Sequence, residues 1–333
     1  MKGVFAMMKN IGYASVFLLI LAAVAIGVLT SELSTEKSKS AEVQTGNTET
    51  TQTEEATAGV SHNPPSLEDV PEGPYGEAVK RGYDLVNNTS EVLRADTASV
   101  EDGQQRINAL SCTSCHAGAG LEEDSSSLVG MASAYPMYIG RAGEIVTLEE
   151  RVNGCMVRSM NGEAFAEDDE DMDAMIAYFK YISEGIPQGA DMPWRNTNTM
   201  EDVPLPDVAN GEKLYQSSCI ACHAADGTGT GSNTGPAVWG DDSFNDGAGL
   251  ARMTKMAGYL QNNMPKGAEK TLSDQDASDL AAFVLSQDRP EWRGHEKDWP
   301  NGDRPPDSMT KERRDQVKDG TIDWNEVLGK NAE

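Results

Sequence analysis

Aromatic residues are scarce in this 333-residue chain, at 6% of the total, and only four histidines are present. Scarce aromatics imply small hydrophobic cores, and small cores rely on a prosthetic group or cross-links for stability. Positive charge is also in deficit: 27 Lys and Arg face 54 Asp and Glu, a formal net charge of −27. A nucleic acid would be repelled by such a surface, so nucleic-acid binding is excluded. Strand signals are few and short. The expected fold is therefore all-α.

The one long apolar run lies at the N-terminus. Residues 11–29, "IGYASVFLLILAAVAIGVL", follow Lys2 and Lys9 and carry no charge. The run is long enough to cross the hydrocarbon core, which needs roughly 17–25 residues, and longer than the apolar part of a signal peptide, about 7–15. Ala23-Val24-Ala25 resembles a cleavage site, but the run continues past it. An uncleaved transmembrane anchor is expected, with the two lysines holding the N-terminus in the cytoplasm and the remainder on the extracytoplasmic face. From residue 35 to 74 no aromatic occurs, and Thr, Glu, Ser and Pro dominate. Such a stretch buries too little apolar surface to offset its chain entropy, so a disordered acidic linker is expected, with His62 a solvated residue within it.

The globular part starts near Tyr75 and reads as two similar halves. "YGEAVKRGYDLVNNTSEVL" and "LPDVANGEKLYQSSC" open them, with Asp207 a plausible N-cap of the second. "EDDEDMDAMIAYFKYIS" and "LSDQDASDLAAFVLSQ" close them, both with acidic residues at the start, where the helix dipole favours negative charge. The boundary falls in residues 185–206. Beyond Pro290 a tail carries Trp292, Trp299 and Trp324, which are expected to clamp it over the domains.

Each half contains one C-x-x-C-H: Cys112-Thr113-Ser114-Cys115-His116 and Cys219-Ile220-Ala221-Cys222-His223. In an exported chain this reads as covalent c-type haem attachment, two thioethers plus a proximal histidine ligand to iron. A shared four-cysteine zinc site is disfavoured by the distance between the motifs. Two covalently bound haem c groups are expected. The organisation is then an anchor or signal over 1–34, the linker over 35–74, cytochrome c domains over 75–190 and 191–290, and a tail over 291–333.

The distal ligands follow from counting. Two of the four histidines are proximal, His62 is in the linker and His295 in the tail, so bis-histidine ligation of both irons is disfavoured. In the second half "YLQNNMPKG" presents Met264, 41 residues past His223, at the end of a helical stretch over 249–262. Lys266 is the competing ligand. Gly235-Pro236 stands where such a pair leans on the proximal histidine. In the first half the comparable position, 39 residues past His116, is the unpaired Cys155, with Met156 and Met160 as competitors. Its neighbours Arg151, Arg158, Ser159 and Asn161 are not an apolar core, and cationic neighbours favour a thiolate. Helical spacing puts Arg151 and Ser159 on the face of Cys155, with Arg158 near that face and free to pair with a haem propionate instead.

These residues resemble the dihaem thiosulfate dehydrogenases that form tetrathionate. "YPMYIGRAGEIVTLEERVNGCMVRSMNGEAF", the first haem motif and "NNMPKGAEKTLSDQDASDLAAFVLSQDRP" carry the resemblance, which covers most of residues 75–300. It implies a His/Cys haem at the active site and a second haem for electron exit to an external acceptor such as another cytochrome c. It assigns the axial cysteine to Cys155, substrate-side arginines to Arg141 and Arg151, an active-site serine to Ser159 and the second-haem ligand to Met264. Some members carry a lysine before that methionine; here the residue is Asn263. The implied reaction joins two thiosulfates with loss of two electrons. Arginine forks suit the oxyanions, and Cys155 could leave iron to hold a sulfur adduct. Thiolate ligation lowers an iron potential and Met/His ligation raises it, so electrons would run from the first haem to the second. The rival readings are a dihaem electron carrier with no substrate, which needs no cysteine ligand, and a Sox-type haem subunit acting on a carrier-bound sulfur. A dihaem peroxidase needs an open iron that Cys155 would block.

Overall fold

The computed structural model describes residues 59–95 and 107–330. Residues 74–95 form α1 (Pro74–Asn87) and α2 (Thr89–Ala95). The first haem motif follows, then α3 (Met131–Ala134), β1 (Met137–Ile139) and β2 (Glu144–Val146), α4 (Leu148–Arg158) and α5 (Glu170–Ile182). The second half contains α6 (Val208–Ser218), α7 (Ile220–His223), α8 (Met253–Asn263) and α9 (Asp274–Ser286), and the tail adds α10 (Lys311–Asp319) and α11 (Trp324–Val327).

The duplication read from the sequence is visible in the packing. α1 crosses α5, and α6 crosses α9. Glycine sits at each crossing: a Cβ on Gly82 would lie 2.1 Å from the Ala174 carbonyl oxygen, and one on Gly211 2.0 Å from that of Asp279. Only glycine lets the backbones approach so closely. Around the crossings Tyr83 meets Tyr178 edge-on at 5.8 Å, and Tyr215 meets Phe283 at 5.5 Å. The few aromatics are thus spent where the opening and closing helices touch. Asp207 caps α6 as expected, accepting from Ala209 N and Asn210 N.

The expected fold requires correction. It is mostly helical as expected, with one small hairpin added: β1 and β2 pair antiparallel, Tyr138 opposite Ile145, around a turn in which Gly143 takes a φ of 73°. Among the described residues no helix is long and apolar enough to cross a membrane. The expected anchor, residues 11–29, lies outside the described residues, so a transmembrane helix is no part of the described fold. The linker expected to be disordered to residue 74 is ordered from Gly59. Val60, Leu67 and Val70 pack against the core. His62 is not a solvated residue: its Nε2 bonds Ser127 Oγ at 2.8 Å and its ring meets Trp194 edge-on at 5.3 Å. The segment lacks aromatics of its own and docks onto those of the first half.

The tail is built into the second half. Arg252 bridges to Ser308, Met309 is fully buried, and the Arg314 side chain, 2% exposed, pairs with Asp246 at 3.2 Å. His295 bonds the same Asp246 at 2.8 Å.

Candidate functional site

α4 starts with a capping box, in which Thr147 Oγ1 accepts from Glu150 N and Glu150 returns a bond to Thr147 N. This fixes the helix phase and hence the face it presents. On that face Arg151 Nη1 donates to Cys155 Sγ at 2.8 Å. Tyr135 stands close to the same guanidinium, and the Cys155 sulfur is the main reason the Arg151 pKa lies above its usual value. Met156 and Met160, the competing ligands, are core side chains only 1% and 3% exposed. Ser159 follows the last turn, half-buried, its backbone N–H bonded to Cys155 O.

Cys155 faces the first C-x-x-C-H. Burial pushes the Cys112 thiol up to about 11, opposed by the Thr89 hydroxyl and reinforced by Cys155. Burial, then Cys112 and Cys155, push Cys115 up to about 12. These are protonated thiols at neutral pH, unlike an activated redox pair. His116 is shifted the other way, chiefly by burial, so its imidazole is neutral, as a metal ligand must be. Its Nδ1 is turned to the Ser126 carbonyl at 2.5 Å. In the second motif His223 Nδ1 is turned to the Pro236 carbonyl at 2.8 Å. Each contact fixes the tautomer and leaves Nε2 open, the arrangement a metal-ligating histidine needs. Gly235 allows it in the second half: a Cβ there would stand 2.0 Å from the Cys222 carbonyl oxygen. Both motifs therefore fit a c-type haem.

In the second motif Cys219 is half-buried and Cys222 exposed. Met264 ends α8, half-buried. Lys266 is exposed and pairs with Glu122 at 3.6 Å. The Asn263 side chain is taken up between the halves: Nδ2 bonds Asn198 Oδ1 at 2.9 Å, and Oδ1 accepts from Ser125 Oγ. The first haem motif is tied to the second half. Ser114 Oγ donates to Ser232 O at 2.8 Å, and Tyr259 donates to Ser114 O at 3.3 Å.

Arg141 and Arg158 lie at the outer side of the site, and neither is free. One oxygen of Asp298 accepts from Arg141 Nη2 at 2.5 Å, the other from Arg158 Nη2 at 2.8 Å. Trp292 lies under Arg158, 4.8 Å from its guanidinium carbon. Arg195 also stands near Tyr135 and Arg151. Sequence reading missed Tyr135, Arg195 and Asp298. Only the tryptophans flanking Asp298 signalled that the tail docks. The site can hold anions beside a sulfur that faces a haem pocket.

Comparison with known proteins agrees with this geometry. Residues 100–188 match a family model described as SoxA/TsdA, cytochrome c domain, and residues 206–284 one described as cytochrome C oxidase, cbb3-type, subunit III. The chain therefore carries two covalently bound c-type haems. It is 38% identical to a thiosulfate dehydrogenase of Psychrobacter arcticus, over 73% of each chain. It is also 38% identical to one of Allochromatium vinosum, over 66% of this chain and 82% of the relative. A solved thiosulfate dehydrogenase (TsdBA) of Marichromatium purpuratum superposes with a TM-score of 0.62 at 30% identity. That match covers 68% of this chain but spans about half, 49%, of the solved one.

Proposed function

The chain belongs to the thiosulfate dehydrogenase family, and from that premise we propose that it oxidises two thiosulfates to tetrathionate at the first haem site. The observation that supports this most is the Arg151–Cys155 contact, which sets a cation and a sulfur together against the first haem motif. A bound haem supplies the electron acceptor there. The residues supply the rest. Arg151, with Arg141 and Arg158 further out, offsets the repulsion between two dianions. Cys155, which would hold the haem iron at rest, forms an S–S bond to the terminal sulfur of the first thiosulfate as two electrons leave, one for each of the two haems. The terminal sulfur of the second thiosulfate attacks that adduct, releasing tetrathionate and returning the Cys155 thiolate. No proton is consumed. Met264 would hold the second haem, Ser159 would line the substrate side, and electrons would pass to an external cytochrome-type acceptor. The direction preferred in the cell is set by the potentials of the two haems and that acceptor. Covalent haem attachment, which in bacteria takes place after export, supports a location outside the cytoplasm.

Stopped-flow absorbance tests the reading. Thiosulfate is expected to reduce the oxidised holoprotein, and tetrathionate to reoxidise the reduced form. A holoprotein inert to both is an electron carrier, and the proposal fails. The Sox-type alternative shares the first family model. It predicts reduction only when a carrier protein bearing a cysteine thiol is added.

A further inference from the structure

Asp298 is 9% exposed and 157 residues downstream of Arg141, yet its carboxylate bridges the two arginines at the outer side of the first haem site. Each oxygen takes one Nη2. The rest of the segment reinforces this bridge. Trp299 N donates to the Arg141 carbonyl at 2.8 Å, Trp292 supports the Arg158 guanidinium, and Pro300 sits where a Cβ on Gly143 would come within 2.5 Å. The Nε atoms of Arg141 and Arg158 are buried and have no protein partner. Buried donors of this kind are costly unless something accepts from them.

Arg158 Nη1 is taken by the Gly154 carbonyl at 3.3 Å. We propose that Asp298 is a positioning residue for oxyanion binding, holding Arg141 and Arg158 side by side by their Nη2 atoms so that the donors left without a partner serve an anionic ligand. The two guanidiniums repel one another. Burial and then Arg141 push the Arg158 pKa down, with Asp298 acting against them. A carboxylate between them cancels that repulsion and leaves the trio one net positive charge, enough to attract a dianion. The ligand assignment, a sulfur oxyanion, rests on the thiosulfate reading; the positioning role does not.

The test turns on a sign. Removing the carboxylate adds positive charge, which alone would tighten anion binding, whereas loss of orientation weakens it. Sulfate, a dianion with no reducible chemistry here, is titrated into the oxidised holoprotein by calorimetry. Asp298→Asn is expected to weaken sulfate binding about tenfold, the worth of one charge-assisted contact. The KM for thiosulfate should rise in parallel, the loss falling on KM rather than kcat, with haem spectra unchanged. Asp298→Glu, which restores the charge on a longer stem, is expected to lose only severalfold. If Asp298→Asn does not fold, unchanged sulfate affinity in Asp298→Glu overturns the proposal. Tighter sulfate binding in Asp298→Asn makes Asp298 a built-in competitor and also overturns it. So does unchanged affinity with a shifted haem potential, which would assign the two forks to haem propionates. Sulfate binding that depends on Asp298, in a wild type that thiosulfate does not reduce, would sink the substrate reading and leave the positioning role standing.

Discussion

At residue scale the chemistry concentrates on α4. Arg151 is half-buried, bonded to Cys155, close to Tyr135, and not neutralised by any carboxylate contact among the described residues, unlike Arg141 and Arg158. Replacing Arg151 with Gln is expected to lower kcat/KM for thiosulfate tenfold or more, since a charge-assisted contact contributes roughly 1.5–3 kcal/mol. Initial rates with an artificial acceptor check this, and a normal value would remove Arg151 from the site. For the second haem, Met264→Gly is expected to lower the midpoint potential, because a thioether ligand raises it. An unchanged redox titration refutes that ligand. The Arg151–Cys155 contact was legible in the sequence because the two residues lie one helical turn apart. Asp298 was not, since nothing local marks a carboxylate that acts on arginines so far upstream.

At element scale the helix crossings control stability. Gly211→Ala would press a methyl group onto the Asp279 carbonyl. It is expected to cost about 1–3 kcal/mol, the usual penalty of overpacking. Thermal melting followed at the haem band reads the loss, and an unchanged Tm would mean that α6 and α9 separate freely. The repeated opening and closing helices were legible from their periodicity, and the closing pair also from their acidic starts. The β1–β2 hairpin was not, because three-residue strands leave too short an alternation to register. The ordering of residues 59–73 was equally hidden, since it depends on Trp194 and Tyr181, which lie more than a hundred residues away.

At the scale of the whole molecule, charge sets two behaviours. Asp307 is 2% exposed and accepts from Arg252 Nε at 2.8 Å and Thr254 N at 3.0 Å. Burial alone would raise its pKa, but the Arg252 and Thr254 contacts outweigh burial and hold it low. A lowered carboxyl contributes stability that is fully present above the unfolded value of about 3.9 and is lost as pH falls below it. Asp307→Asn is expected to cost about 3–5 kcal/mol at pH 7, as breaking a buried pair does, and to flatten the acid limb of the stability curve below about pH 4. Denaturant unfolding across pH checks both. The second behaviour is kinetic. A molecule of net charge −27 repels a dianion at long range, and the screening length shrinks from about 30 Å at 0.01 M salt to about 8 Å at 0.15 M. The kcat/KM for thiosulfate is expected to rise over that interval, because the half-buried arginines are screened less than the outer surface. A falling value would show that local attraction already dominates at low salt.

The bridge from Asp298 to Arg141 also imposes an order on biosynthesis. A ribosome completes both haem attachment motifs and Cys155 before it reaches the carboxylate that aligns the outer arginines. A chain terminated just after α9 would keep both haem attachment motifs and Cys155 but lose Asp298, so its outer arginines would stay unaligned.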